Sequence, residues 1–172
     1  MSEADRPIVR DVLWAPWRLE FIEKAGPNGY ANFFVELPRQ EDDRSNLLLY
    51  RGENAFVVLN AYPYASGHLM VAPYQECAEL LDLPDATLLE IQRLIGRAVT
   101  WLRAVYRPDG FNIGANLGRA GGAGVPTHLH WHVVPRWNGD SNFMSVTAQT
   151  RVLPEALLVT YDRLRAAIEG GL

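Results

Sequence analysis

Thr127-His128-Leu129-His130-Trp131-His132-Val133-Val134-Pro135-Arg136-Trp137 carries three of the chain's four histidines, each separated from the next by one apolar residue. Side chains alternate between the two faces of a β-strand. Read as a strand, this stretch puts His128, His130 and His132 on one face and Leu129, Trp131 and Val133 on the other. One face is then open to chemistry and the other belongs to the core. The fourth histidine, His68, follows Gly67 at the start of a second strand-like run, His68–Pro73.

The rest of the chain is organised around these two runs. Ala55–Asn60 is rich in β-forming residues, and with Tyr62–Gly67 as a loop of about six residues it predicts an antiparallel hairpin onto His68–Pro73. Pro84–Tyr106 reads as the main helix, because Leu88, Ile91, Ile95, Ala98, Leu102 and Val105 recur at spacings of three and four. Asp82 or Asp85 is the expected cap, and Pro108-Asp109-Gly110 the stop. Phe111–Asn116 reads as a third strand, and Leu117–Pro126 as a glycine-rich loop into the histidine run. Residues 143–152 suggest a further strand. Pro154–Glu169 reads as a closing helix with Leu157, Tyr161, Leu164 and Ile168 on one face. Upstream, residues 1–12 read as a loose arm, Trp14 and Trp17 as aromatic anchors, and Leu19–Lys24 as a short helix. Phe33-Phe34-Val35 is a short apolar run and Pro38–Ser45 a surface loop, while Asn46–Tyr50 fits a strand or a helical turn. This order predicts one α+β domain over residues 1–172, an antiparallel sheet with helices packed mainly on one side.

At 172 residues the chain is long enough to bury a proper core in one domain. A net charge of −4 argues against a general nucleic-acid binder. The lone cysteine, Cys77, excludes an intrachain disulfide and reads as a buried spectator. The N-terminus has no signal pattern and no apolar run approaches membrane-helix length, so the expected location is the cytoplasm.

Three chemistries compete for the histidine run. A metal site needs a third or fourth ligand, which His68 can supply, but no carboxylate or cysteine companion lies in the segment. Purely structural histidines are common singly, and much less so three to a face. The third chemistry is phosphate transfer. A neutral imidazole is a competent nucleophile near pH 7 and forms a covalent phosphoramidate. A neighbouring imidazole binds phosphate oxygens or assists the leaving group. Gly122 and Gly124 in the preceding loop offer backbone N–H groups that approach an anion closely.

At these residues the chain resembles the histidine triad (HIT) family, whose motif alternates three histidines with apolar residues and ends in two of them. His128-Leu129-His130-Trp131-His132-Val133-Val134 matches it throughout, and Asn60–Leu69 resembles the family's Asn-then-Gly-His segment. The resemblance covers roughly residues 50–145. It implies a five-stranded antiparallel sheet with two main helices, and a homodimer or higher homo-oligomer. It also implies roles: His130 as the nucleophile that takes up a nucleoside monophosphate, His132 on the α-phosphate or bridging oxygen, His128 and His68 as orienting groups, Asn60 on the ribose and Asn116 on the phosphate. The flanks Leu13–Arg18, Asn60–Pro73, Gly110–Gly118 and His132–Phe143 look like the bacterial diadenosine tetraphosphate phosphorylases, which use inorganic phosphate to release ADP and ATP. A hydrolase of dinucleoside polyphosphates or adenosine phosphoramidates, and a non-catalytic nucleotide sensor, are the alternatives.

Two departures from the family qualify this. Many members bind zinc through a Cys-x-x-Cys pair near the N-terminus and a histidine after the Gly-His strand. The corresponding stretches here are Ala31-Asn32-Phe33-Phe34 and Gln75-Glu76-Cys77. No structural zinc is therefore expected, nor any tightly bound cofactor. Mg²⁺ is expected only as a companion of the polyphosphate, since no carboxylate cluster marks a dedicated site. The loop Leu117–Pro126 also lacks the Ser or Gln that often binds phosphate, which leaves backbone donors and Arg119. His130 is expected on a solvent-accessible face, so that its removal should spare the fold.

Overall fold

A computed structural model describes residues 32–140 and 155–171 of the chain. The readings made for residues 1–31, including Trp14, Trp17 and Leu19–Lys24, lie outside the described residues, as does the strand expected over 143–152. The elements are a one-turn helix α1 (Phe33–Glu36), β1 (Leu48–Arg51), β2 (Ala55–Leu59), β3 (Leu69–Pro73), α2 (Asp85–Tyr106), β4 (Gly110–Ala115), β5 (Trp131–Arg136) and α3 (Leu157–Glu169). The strands form one antiparallel sheet in the order β1-β2-β3-β5-β4. The fold is the expected α+β sheet with two main helices.

Alternation along β2 and β3 decides which side chain meets which layer. Ala55, Val57, Leu59, Leu69 and Val71 join Leu129, Trp131 and Val133 against α2 and α3. Phe56, Val58, Met70 and Ala72 face the other way, where Phe34 of α1 and Val125 of the triad loop cover them. Both strands are therefore buried along their whole length. The two long helices lie on one side, as expected. The opposite face is not bare, because the short apolar run at Phe33–Val35 docks there.

Helix α2 buries Ile91, Ile95, Ala98 and Leu102 as the spacing predicts, and its stripe is widened by Leu94 and Trp101. Leu88 and Val105 sit at the margin, only partly buried. The expected aspartate cap is not made: Pro84 holds the N-cap position without a side-chain bond. Asp85 instead lies in the first turn, where its negative charge complements the positive end of the helix dipole. The helix ends at Arg107, which adopts a left-handed conformation and donates its N–H to the Arg103 carbonyl at 3.1 Å. The stop thus falls one residue before Pro108.

Two tertiary ties brace β1. Glu90 of α2 accepts the backbone N–H groups of Glu53 and Asn54 at 2.7 and 2.8 Å, which pins the β1–β2 turn. From α3, Tyr161 Oη and Arg165 Nη1 donate to the carbonyls of Leu48 and Leu49 at 3.1 and 2.8 Å. The β1 edge is thereby covered, whereas among the described residues no strand pairs with the outer edge of β4, where Ile113 is 50% exposed. Among the described residues no helix is long and apolar enough to cross a membrane.

Candidate active site

The histidine run enters the sheet later than its alternation suggested. The ladder begins at Trp131, so His128, Leu129 and His130 precede it. Leu129 N–H instead donates to the Cys77 carbonyl at 2.7 Å, which keeps this approach extended. Leu129, Trp131 and Val133 all enter the helix-side core. His130 and His132 open into a cleft on the other side of the sheet. His68 likewise lies just outside its strand. The loop Asn60–His68 closes with Asn60 N–H on the His68 carbonyl at 2.9 Å, and Gly67 takes a positive φ of 78° beneath it.

Hydrogen bonds dictate where each imidazole proton sits. A backbone N–H can only donate, so Tyr64 N–H, 3.1 Å from His68 Nδ1, makes that nitrogen an acceptor. The neutral His68 ring then carries its proton on Nε2, 2.9 Å from His132 Nδ1. His132 Nδ1 accepts it, which leaves the proton of His132 on Nε2. His130 is ordered the opposite way. Its Nδ1 lies 2.9 Å from the His128 carbonyl and must donate, so its Nε2 keeps a lone pair. His130 and His132 are edge to face with ring centres 5.0 Å apart. One therefore presents a nucleophilic nitrogen and the other an N–H donor.

Burial sharpens this assignment. His128 and His130 are 1% and 4% exposed, and desolvation holds both below the ordinary imidazole pKa. Both are neutral at pH 7. The expectation of an accessible His130 is corrected here: Phe34 lies tilted over its ring, centres 4.7 Å apart, and over that of His128 at 5.2 Å. Alternation identifies a face; it does not reveal that α1 covers part of that face.

The cleft holds about 300 Å³. Phe33, Leu37, Leu47, Val58 and Met70 give it apolar walls, and Asn60, Tyr62, Tyr64, Gly124, His130 and His132 surround its polar end. Asn60 Oδ1 accepts the Tyr62 N–H at 2.9 Å, and its amide nitrogen lies 3.3 Å from His68 Nδ1. His68, His132 and Asn60 are thus one bonded group. Asn116 and Gly122 are placed elsewhere. Asn116 Nδ2 donates to the Gly122 carbonyl at 3.3 Å within the glycine loop, and neither residue lines the cleft. Residues missed in the sequence are Tyr64, stacked on His68 at 4.7 Å, and Asn32, 3.0 Å from His128 Nδ1. No spacing signal could have found Asn32, because its partner lies 96 residues away.

Comparison with known proteins agrees with this geometry. The family profile described as HIT domain matches residues 41–139. The AP-4-A phosphorylase of Mycobacterium tuberculosis is 41% identical over 152 residues, covering 84% of this chain and 77% of that relative. Among solved structures, a zinc-bound histidine triad family protein from Mycobacterium smegmatis is similar at 28% identity with a TM-score of 0.62, covering 80% of this chain and 92% of that one. A hypothetical histidine triad nucleotide-binding protein from Sulfolobus tokodaii gives 25% identity and a TM-score of 0.63 over the same shares. On its motif, its fold and these likenesses, the chain belongs to the histidine triad family.

Proposed function

We propose that this chain is a nucleotide-processing enzyme that transfers a nucleoside monophosphate through a covalent intermediate on His130, acting as a diadenosine tetraphosphate phosphorylase. The observation that carries the reading is the opposed ordering of the two cleft imidazoles, a lone pair on His130 Nε2 beside an N–H on His132. In the first step Nε2 attacks the α-phosphorus and the bond to the bridging oxygen breaks. His132 Nε2–H donates a hydrogen bond to that oxygen and stabilises its charge as ATP leaves. In the second step a phosphate oxygen attacks the same phosphorus, the P–N bond breaks, ADP forms and His130 Nε2 recovers its lone pair. Asn60 is assigned to the ribose and His68 to the orientation of His132. Gly124, at the cleft, is the loop position placed to offer a backbone donor to the phosphate. The engagement of Asn116 with Gly122 gives it the task of shaping that loop.

Incubation with diadenosine tetraphosphate, with and without inorganic phosphate, tests the proposal. ADP and ATP appearing only with phosphate is the expected result. AMP and ATP in buffer alone would make water the acceptor. That alternative draws on the loop Leu117–Pro126, which has neither a Ser nor a Gln to hold phosphate. Nucleotide binding without turnover would make the protein a sensor.

The homodimer implied by the family draws support from the unequal sheet edges. Side chains of α3 cover β1, while among the described residues nothing pairs with the outer edge of β4, which carries an exposed isoleucine, the kind of edge that natural proteins pair or protect. β4 lies beside β5, with Gly114 opposite His132, so an interface there adjoins the site. Sedimentation velocity is expected to show a dimer or larger assembly that Ile113→Asp dissociates to monomers. A wild-type protein sedimenting as a monomer would dismiss this reading.

A further inference from the structure

Asn32 and Glu76 stand in the two stretches where zinc-carrying family members are expected to hold their metal. The fold brings both onto His128. Asn32 Nδ2 lies 2.8 Å from Glu76 Oε1 and 3.0 Å from His128 Nδ1. A metal does not fit this arrangement. It offers one carboxylate and one imidazole nitrogen, and that nitrogen already faces an amide donor. Among the described residues no group of three or more histidine, cysteine or carboxylate donors converges.

We propose that the Glu76–Asn32 pair takes the metal's place. Asn32 is a positioning residue that keeps His128 neutral, with its proton on Nε2, beside the nucleophile. An ionised carboxylate only accepts hydrogen bonds, so Glu76 fixes which end of the Asn32 amide points inward. The amide nitrogen then spends one proton on Glu76 and the other on His128 Nδ1. That orientation is kept although Asn32 Oδ1 is buried with no partner among the described residues. On the far side of the ring, His128 Nε2–H donates to the Pro73 carbonyl at 2.9 Å. With a donor on one nitrogen and an acceptor on the other, the ring has no site for a second proton. The backbone carbonyl of the same residue receives His130 Nδ1–H. Phe34, two residues after Asn32, covers both rings. The ionisable groups facing His128 are Glu76 and His130, and those facing His130 are His128 and His132. A protonated His128 would therefore place a cation beside the nucleophile, lower the proton affinity of His130 and weaken its attack.

This rests on His130 as nucleophile for its kinetic part only, since the ring states are observable without turnover. The four imidazoles of the full-length protein can be followed by long-range proton–nitrogen NMR correlation across pH. Wild type is expected to show His128 neutral with its proton on Nε2 from pH 6 to pH 8. Asn32→Asp supplies an acceptor where a donor stood, and should turn His128 into an imidazolium at pH 7. The acid limb of kcat/KM for dinucleotide cleavage should then move to lower pH by about 0.5–1, and kcat should fall about tenfold with KM within about twofold. Glu76→Gln offers a donor as well as an acceptor, so it should loosen the choice of amide end and shift His128 part of the way in the same direction as Asn32→Asp. A wild-type His128 carrying its proton on Nδ1 would overturn the proposal even if no variant folds. So would stoichiometric zinc in the purified protein, or an Asn32→Asp spectrum and acid limb that stay in place.

Discussion

Replacing His130 by asparagine is expected to lower kcat at least about a thousandfold, on the scale seen when a catalytic nucleophile is removed. Asparagine is the informative choice because His130 is nearly buried. Its side-chain N–H can still serve the His128 carbonyl, and its bulk fills part of the space under Phe34. What it lacks is a basic nitrogen aimed into the cleft. Single-turnover reaction with radiolabelled dinucleotide gives a direct measure. Wild type should hold label on the protein in an acid-labile, alkali-stable bond, as a phosphoramidate requires, and the variant should hold none. A variant that loses only about a hundredfold fits a general-acid role for His130 instead, at the low end of the roughly 10²–10⁴-fold cost of losing such a group.

The second large effect concerns stability. Trp101→Ala should destabilise the protein by about 3–5 kcal/mol, the range for emptying a large aromatic site in a core. In a chain of this length that corresponds to a Tm lower by roughly 6–20 °C. Trp101 is fully buried, lies 5.7 Å from the Tyr50 ring, and carries the Arg97 guanidinium over its face at 5.2 Å. It packs on the helix side of the sheet, away from the cleft, so kcat at 25 °C should stay within about twofold of wild type. Calorimetry and a urea titration check the first part and a routine assay the second. A loss below about 1 kcal/mol would mean that the α2 face collapses around the gap more freely than cores of this kind do.

Trp101 also shows where reading the residues falls short. The three-and-four spacing located α2 and most of its buried face, because helical geometry makes that spacing visible. It drew the stripe too narrow. A helix laid across β2, β3 and β5 buries a broad sector, and Leu94 and Trp101 lie in it. The histidines behave similarly. Alternation separated His130 and His132 from Leu129, Trp131 and Val133, and the family motif then named a nucleophile. Neither showed the tautomers, which depend on Tyr64 N–H and on the His128 carbonyl. Neither showed the burial of His130, which depends on a helix of one turn far upstream. The resemblance assigned Asn116 to phosphate and could not show that its amide nitrogen also donates to the Gly122 carbonyl within the glycine loop.

The polar contacts that define the site are among the most distant along the chain. His68 and His132 are 64 residues apart, and Asn32 and His128 are 96. Contacts of that separation form only after long loops have closed, and they are slow to arrive. The hairpin β2–β3 and the helix α2 are local and have no such delay. Sheet closure through β5 comes before His132 can meet His68, and docking of Asn32 and Phe34 comes on top of both. The opposed ordering of the two cleft imidazoles is therefore coupled to completion of the topology. A chain still short of its last docking step carries all four histidines but no ordered pair of donor and lone pair.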